Sequence, residues 1–402
     1  MKDINNKIKA YALKNALTHK GNSNQGAVIS ALFNEGLKKQ DIKKYIKKIT
    51  KIIQEVNSLS LEEQKKEFEK LENIVSKREI RQGLPELPDV PKSGVIMRFA
   101  PSPSGPLHIG HMISMGPNFL YFKKYGGKFY LRIEDTNPNN IYKPAYKMIE
   151  TDIRWLLKGE KFPIIIQSNR ISLYYKYIKK LLFKNAVYVC DCNKDDFKIL
   201  KKNKRACPCR ELTKNQQLIR WGKMLDKKGY KEGEAVLRFK TTLSHKNPAM
   251  RDFPLARINE TTHPLQKNKY RVWPLMNLSV TVDDIEMKIT HIIRGKDHKD
   301  NSEKQKMIYK ILGKKYPWCS FMGKLHFKES ELSTTKIKEG IEQKKYSGWD
   351  DPKLMTLSSL KKQGYNPINL WGFIKSRGLN KIDKTISKKD FSEVINKIFK
   401  VK

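Results

Sequence analysis

Val95-Ile96-Met97-Arg98-Phe99-Ala100-Pro101-Ser102-Pro103-Ser104-Gly105-Pro106-Leu107-His108-Ile109-Gly110-His111 packs three pieces of local structure into one short run. Val95–Phe99 reads as a short buried strand, and the Pro/Ser/Gly segment after it as a turn. A helix opens near His108, with Ile109, Met112, Met115, Phe119 and Phe122 at helical spacing. A helix that starts just after a strand aims free N–H groups and the positive end of its dipole at whatever sits above the sheet. The stretch therefore suits a nucleotide triphosphate held beside a small anion. His108 and His111 are three apart and share a face of the first turn. Gly110 between them leaves room for a flat ring or a ribose against the backbone.

Outward from this stretch, strands and helices alternate. Lys128–Ile133 is a second strand, after the helix stop Tyr125-Gly126-Gly127, and Ile164–Ile166 a third. An insertion over about 186–270 interrupts the pattern. The sheet is expected to resume with Leu278-Ser279-Val280-Thr281-Val282 and Thr290-His291-Ile292-Ile293. The fold class is α/β, a doubly wound parallel nucleotide-binding sheet carrying an inserted domain and flanked by helical segments. The expected units are 1–92 (helical appendage and linker), 93–185 (first half of the sheet domain), 186–270 (insertion), 271–325 (second half) and 326–402 (helical region). Ile42, Tyr45, Ile46, Ile49 and Ile53 form one helical stripe in the first of these. Gln82–Pro91, with three prolines, reads as a linker.

The chain has 402 residues, enough for several domains with real cores, and a net charge of +41. Such a basic excess points to a polyanionic partner, most simply nucleic acid. Only 15 of the 82 basic residues are arginine, and the lysines run along the whole chain, a pattern that lysine-rich proteomes also produce. No apolar run is long enough to span a bilayer and the N-terminus has no signal segment. Five cysteines leave one unpaired in any disulfide scheme, which together with these features suggests a soluble, reduced, cytoplasmic protein.

The opening stretch resembles the HIGH motif of class I aminoacyl-tRNA synthetases, and Arg98–Gly105 is similar to the form used by glutamyl-tRNA synthetases. Arg132-Ile133-Glu134-Asp135-Thr136-Asn137-Pro138, Ile293-Arg294-Gly295-Lys296-Asp297-His298 and Gly348-Trp349-Asp350-Asp351-Pro352 continue the resemblance in the family's order. The last resembles the archaeal and eukaryotic branch, and the N-terminal segment is similar to the appendage of archaeal members. The resemblance implies glutamate–tRNA ligation. Glutamate attacks the ATP α-phosphate, and the adenylate then esterifies the 3′-terminal adenosine of tRNA, by family rule at its 2′-OH. ATP would come with Mg²⁺.

Glutamate carries two carboxylates and an ammonium, so its site should offer two cations and one acid. Arg98 and Arg294, at strand ends, are the candidate cations and Glu134 the candidate acid. The resemblance adds Ala100 and Ser102 to the substrate site. It also adds Met276, where many members place a tyrosine. A guanidinium at 294 pairs with a carboxylate and repels an amide's NH₂, so glutamate is expected over glutamine. His108 and His111 are expected to donate to the phosphates, with Gly110 and Gly295 beside the nucleotide. The second nucleotide motif, a KMSKS loop, is best matched by Leu332-Ser333-Thr334-Thr335-Lys336-Ile337. Thr334 stands where the lysine is expected, so Lys336 is the candidate for reaching the β- and γ-phosphates. The same Ser/Thr run can equally cap a helix beginning near Lys336.

Cys190-Asp191-Cys192 and Cys207-Pro208-Cys209 offer four thiolates for a structural zinc; reduced free cysteines are the alternative. Family members of this branch continue into β-barrels that read the anticodon. Leu379–Ser387 resembles the turn before those barrels, yet nothing after 325 alternates as barrel strands do, and Lys388–Lys400 reads as helical. The expectation is a polypeptide with the catalytic and acceptor-stem machinery only. Its partners would be tRNA(Glu), possibly tRNA(Gln), and a separate anticodon-binding chain. Two other readings share these motifs: a stand-alone paralogue glutamylating a modified tRNA nucleoside, and a catalytically dead tRNA-binding protein.

Overall fold

The computed structural model describes residues 4–76 and 84–399. The chain divides into two compact units, 1–81 and 82–402. Gln82 and Gly83 of the expected linker, and Lys400, lie outside the described residues.

The first unit is a set of helices, Ile4–Thr18, Gln25–Asn34, Ile42–Asn57 and Leu61–Leu71. Ile8, Leu13, Leu32, Ile49, Ile53 and Val56 form its core. Of the expected stripe, Ile49 and Ile53 are in the core and Tyr45 packs at its margin. Asn24 caps the second helix by accepting from Gly26 N at 2.8 Å, and Ser60 and Glu63 close a capping box on the fourth. Buried Gln64 ties the unit together. Its amide donates to the Gly21, Val56 and Leu59 carbonyls at 2.9, 2.9 and 3.2 Å, satisfying loop oxygens that would otherwise be orphaned.

In the second unit, β1 (Val95–Phe99), β2 (Gly127–Ile133) and β3 (Ile164–Ile166) pair in parallel in that order. The helix Ile109–Tyr125 connects β1 to β2, and Ala145–Leu157 connects β2 to β3. The insertion is a separate antiparallel sheet, β4 (Val187–Cys190), β5 (Val236–Phe239), β6 (Pro254–Ile258) and β7 (Val272–Pro274) in sequential order. Its last strand lies past residue 270. β8 (His291–Gly295) and β9 (Trp318–Met322) then form a parallel pair along the free edge of β1. Thr290 N donates to Ile96 O at 3.0 Å, and Ile96 N to Thr290 Oγ1 at 2.9 Å. The strand order is therefore β3-β2-β1-β8-β9, with the chain reversing its direction of travel at β1, where open α/β sheets place their ligands. β10 (Leu325–Phe327) and β11 (Lys384–Ile386) pair in parallel, and are the only strands past residue 322 among the described residues. No helix among them is long and apolar enough to cross a membrane.

Two expectations need correction. Leu278–Val282 is not a strand but the middle of the helix Met276–Glu286. The β-branched run Val280-Thr281-Val282 favours a strand by propensity, but Leu278 through Asp284 are all buried. A helix covered all round shows no alternation and reads like a buried strand. The segment before β1 is not a loose linker either. Leu87 is buried in the main core, Tyr121 donates to Pro85 O at 2.6 Å and the His291 ring meets Pro88 O at 2.8 Å. Its prolines suit a strap whose carbonyls are held by side chains rather than by a ladder.

The turn into β2 accepts only glycine. Gly126 ends the preceding helix at φ 70° and Gly127 follows at φ 105°. A Cβ on Gly127 would lie 2.1 Å from Val95 O, so any side chain there would force β1 and β2 apart.

Candidate active site

The helix carrying the histidines begins as the sequence suggests. His108 is its N-cap, and His108 and His111 form a capping box of their own. His108 Nδ1 accepts from Gly110 N at 3.1 Å, and His111 Nδ1 accepts from His108 N at 3.2 Å. A ring whose Nδ1 accepts a backbone N–H carries its proton on Nε2. Burial lowers His108 well below its ordinary 6.5, with His111 adding to the effect, and burial lowers His111 to about 4. Both are therefore neutral near pH 7 and present Nε2–H as a donor. Their rings lie 3.8 Å apart, centre to centre. Gly110 also leaves room for this pair. A Cβ there would meet the His108 ring at 2.9 Å.

Above the C-terminal ends of β1, β2 and β8 opens a cavity of about 300 Å³. Arg98, Ala100, Ser102, His111, Glu134, Met276, Arg294 and Gly295 all line it. Sequence reasoning missed Ser114, Asn118 and His298, which line it too. His108, Gly110, Ser333, Thr334, Thr335 and Lys336 are not among its lining residues.

The floor of this cavity is an ion network that was also missed. Arg132 on β2 is fully buried. It donates to Asp284 Oδ1 at 2.6 Å and to Glu134 Oε1 at 3.0 Å. Arg98 grips Asp284 bidentately, Nε to Oδ1 at 3.1 Å and Nη2 to Oδ2 at 3.2 Å. Burial alone would push Asp284 up, but Arg98 and Arg132 overcome it and hold the carboxyl at about 2. Neighbouring Asp283 takes Arg170 Nε, Gln167 Nε2 and Tyr174 OH, each at 2.8 Å. Arg98, one of the two candidate cations, thus lines the cavity while already holding a protein carboxylate. Its Nε and one N–H of Nη2 are engaged by Asp284, which leaves the Nη1 group and the second N–H of Nη2 to donate to a ligand. The signal was present in Val282-Asp283-Asp284: two adjacent acids in an apolar run need cations somewhere.

Arg294 differs from these arginines. It is only 7% exposed, its Nη1 donates to Gln305 Oε1 at 3.0 Å, and its Nε has no partner among the described residues. No carboxylate lies within ion-pair distance of it there. Burial lowers its pKa, and repulsion from Arg98 lowers it further. A buried guanidinium always carries its charge, so this one faces the cavity short of an anion. Asn118 fixes the strand that bears it, donating to Ile293 O at 2.9 Å and accepting from Ile293 N at 3.2 Å.

The KMSKS-like segment docks against the first motif. Ser104 Oγ and Thr334 Oγ1 are 3.0 Å apart. The helix there is Thr334–Glu342, starting before Lys336, with Ser333 as N-cap accepting from Lys336 N at 3.5 Å. Lys336 is exposed and pairs with Glu331 at 3.1 Å. The Gly348–Pro352 motif braces the same turn. The Trp349 ring would meet a Cβ on Gly105 at 3.0 Å, and Thr356 donates to Trp349 O at 2.5 Å.

In the insertion, Cys190, Cys192, Cys207 and Cys209 converge, all four sulfurs lying within 4.8 Å of one another. Cys190 and Cys207 are 3.9 Å apart, Cys192 and Cys209 3.4 Å. A tetrahedron with Zn–S bonds of ~2.3 Å has sulfur–sulfur edges of about 3.8 Å, so the donor set fits that ion. Arg210, next after Cys209, is anchored on Asp252 at 2.6 Å, and Gln217 links Val189 N (2.8 Å) to Cys209 O (2.6 Å).

Comparison with known proteins agrees with this geometry. Residues 94–400 match the family described as tRNA synthetases class I (E and Q), catalytic domain. A glutamate–tRNA ligase of Methanobrevibacter smithii is 44% identical over 394 residues, 96% of this chain and 69% of that protein. The glutamate–tRNA ligase of Pyrococcus furiosus is 40% identical over 400 residues, 96% of this chain and 69% of its own length. A crystal structure of a glutamate tRNA ligase from Elizabethkingia meningosepticum, in complex with its amino acid, shares the fold. Its TM-score is 0.54 at 21% identity, covering 77% of this chain and 70% of that one. A family match over most of the chain, with relatives this similar over nearly all of it, leads to one conclusion: the chain belongs to the class I tRNA synthetases of the glutamate and glutamine type.

Proposed function

We propose that this protein is an ATP-dependent glutamate–tRNA ligase. The observation that carries the reading is Arg294, a buried guanidinium without a carboxylate, opposite Glu134 in one cavity. A glutamate side-chain carboxylate supplies the missing anion and its ammonium meets Glu134, whose Oε1 is already held by Arg132. The α-carboxylate then lies toward His111 and the free edge of the Arg98 guanidinium, where ATP arrives. One carboxylate oxygen attacks the α-phosphorus, the bond to the β-phosphate oxygen breaks and pyrophosphate leaves. The Nε2–H groups of His108 and His111 donate to phosphate oxygens as charge moves onto the leaving group. Lys336, released from Glu331, reaches the β- and γ-phosphates, which carry Mg²⁺. A hydroxyl of the tRNA 3′-terminal adenosine then attacks the acyl carbonyl and AMP departs.

ATP–pyrophosphate exchange, run with glutamate or glutamine and with or without tRNA, tests the reading. Exchange with glutamate and tRNA is expected. Its absence under every condition overturns the proposal. Charging of tRNA(Glu) and tRNA(Gln) transcripts fixes which tRNA is served.

Zinc at the four cysteines belongs to the same proposal. It would brace the insertion and take no part in chemistry, since the cysteines are not among the residues lining the cavity. Metal analysis of protein purified without chelator should give one zinc per chain, and Cys207→Ser should lose it. Four freely titrating thiols in the native, metal-free protein would refute the site.

A further inference from the structure

Asp152 is out of place. The helix Ala145–Leu157 buries Ala145, Ile149, Ile153, Leu156 and Leu157 against the main core, and Asp152 sits in the same buried stripe. It is 7% exposed, and it forms no ion pair among the described residues. Burial pushes its carboxyl up to about 7, against the lowering effect of its hydrogen bond to Leu107 and of Lys361. An apolar side chain would fill this position without that penalty. What the carboxylate has instead, among the described residues, is one hydrogen-bond partner, Leu107 N at 2.9 Å.

Leu107 is the residue before His108. On its other side the same peptide run is stitched to a distant segment. Leu357 N donates to Leu107 O at 2.8 Å and Ile109 N to Met355 O at 3.0 Å, so that His108 pairs antiparallel with Thr356. The run 107–109 is thus held from both sides, by a short backbone bridge and by Asp152. His108 N, the next amide along, supports the His111 ring, and Gly110 N supports the His108 ring. The N–H that Asp152 holds lies in the Pro106–Leu107 peptide, one unit before the peptide whose N–H supports the His111 ring, so a shift of Leu107 would displace His108, its ring and the His111 ring together.

We infer that Asp152 is a positioning residue for adenylate formation: as hydrogen-bond acceptor for Leu107 N–H, it fixes the direction in which His108 and His111 present their donors to the phosphates. The inference rests on the ligase reading above.

Two near-isosteric substitutions separate this role from mere support. Asp152→Asn keeps an acceptor and the shape. Asp152→Leu keeps the shape and satisfies the stripe, but leaves Leu107 N–H unpaired. In ATP–pyrophosphate exchange with tRNA present, the leucine variant should lose about 10- to 100-fold in kcat, the range expected when an oriented donor is misplaced. Its KM for glutamate should move less than twofold, because Arg294 and Glu134 do not depend on this peptide. The asparagine variant should stay within about threefold of the parent. A leucine variant matching the parent in kcat overturns the inference, as does an asparagine variant that falls as far as leucine. So does a loss carried by KM for glutamate. If the leucine variant does not fold, Asp152→Ala is measured in its place, with the same criteria. An inactive parent would refute the ligase reading itself, which keeps the two failures distinct.

Discussion

The cavity floor and the helix Ile42–Asn57 use positive charge in opposite ways. At the floor, Arg98 and Arg132 are buried and joined to Asp284 and Glu134 by hydrogen bonds of 2.6–3.2 Å. On the helix, Lys43, Lys44, Lys47, Lys48 and Lys51 lie along one exposed face, and among the described residues only Lys44 has an acid within ion-pair distance, Asp41 at 3.5 Å. The residue types divide the same way through the described chain: five arginines are buried and no lysine is. A planar guanidinium can satisfy two carboxylates in fixed directions, whereas an ammonium on a flexible stem gains little from leaving water. So the few arginines specify a site, while the many lysines set the +41 net charge without locating anything.

The comparison is broken most severely at Arg132. Arg132→Leu leaves Glu134 unheld and Asp284 short of a cation in a buried place. Stability should fall by about 3–5 kcal/mol, the usual cost of stranding one partner of a buried pair; urea unfolding measures it. A loss below about 1 kcal/mol would mean that water enters the network and that it is not buried in practice.

Next in size is Arg294, which has no protein carboxylate to strand. Arg294→Ala should therefore cost little stability but lower kcat/KM for glutamate about 100-fold or more, as for a lost charge-assisted pair. Glutamine should suffer much less. Equal losses for both amino acids would remove the carboxylate from the role given to it.

The smallest effect is expected at the exposed face. Replacing Lys43, Lys47 and Lys51 together by glutamine should change unfolding free energy by no more than about 0.5 kcal/mol and leave kcat for pyrophosphate exchange unaltered. A drop in kcat would show that these lysines do more than carry net charge.

What could be read without coordinates follows the range of each interaction. The strand, turn and helix of 95–111 were legible because each is set by neighbours a few residues away, and the four cysteines because metal ligation needs only thiols that can converge. Glu134, Met276 and Arg294 were placed by motif and strand end, and they do line one cavity. The commitment of Arg98 to Asp284 was not legible, since the partners are 186 positions apart. Asp152 escaped for a similar reason: a lone acid in an apolar stripe reads as an exposed exception until its partner, Leu107 N, is seen. Leu278–Val282 failed differently, because burial on every side erases the periodicity that tells helix from strand.

The bridge between 107–109 and 355–357 has a consequence for how the protein comes into being. During synthesis the run around His108 leaves the ribosome long before its partner strand exists. At 5–20 residues per second the wait is on the order of 10–50 s. The opening motif can form its helix early, but the turn ahead of it can acquire its final geometry only when residue 357 arrives. The enzyme's first signature is therefore among the last parts of the cavity wall to be completed, and the segment that completes it contributes no group to the chemistry.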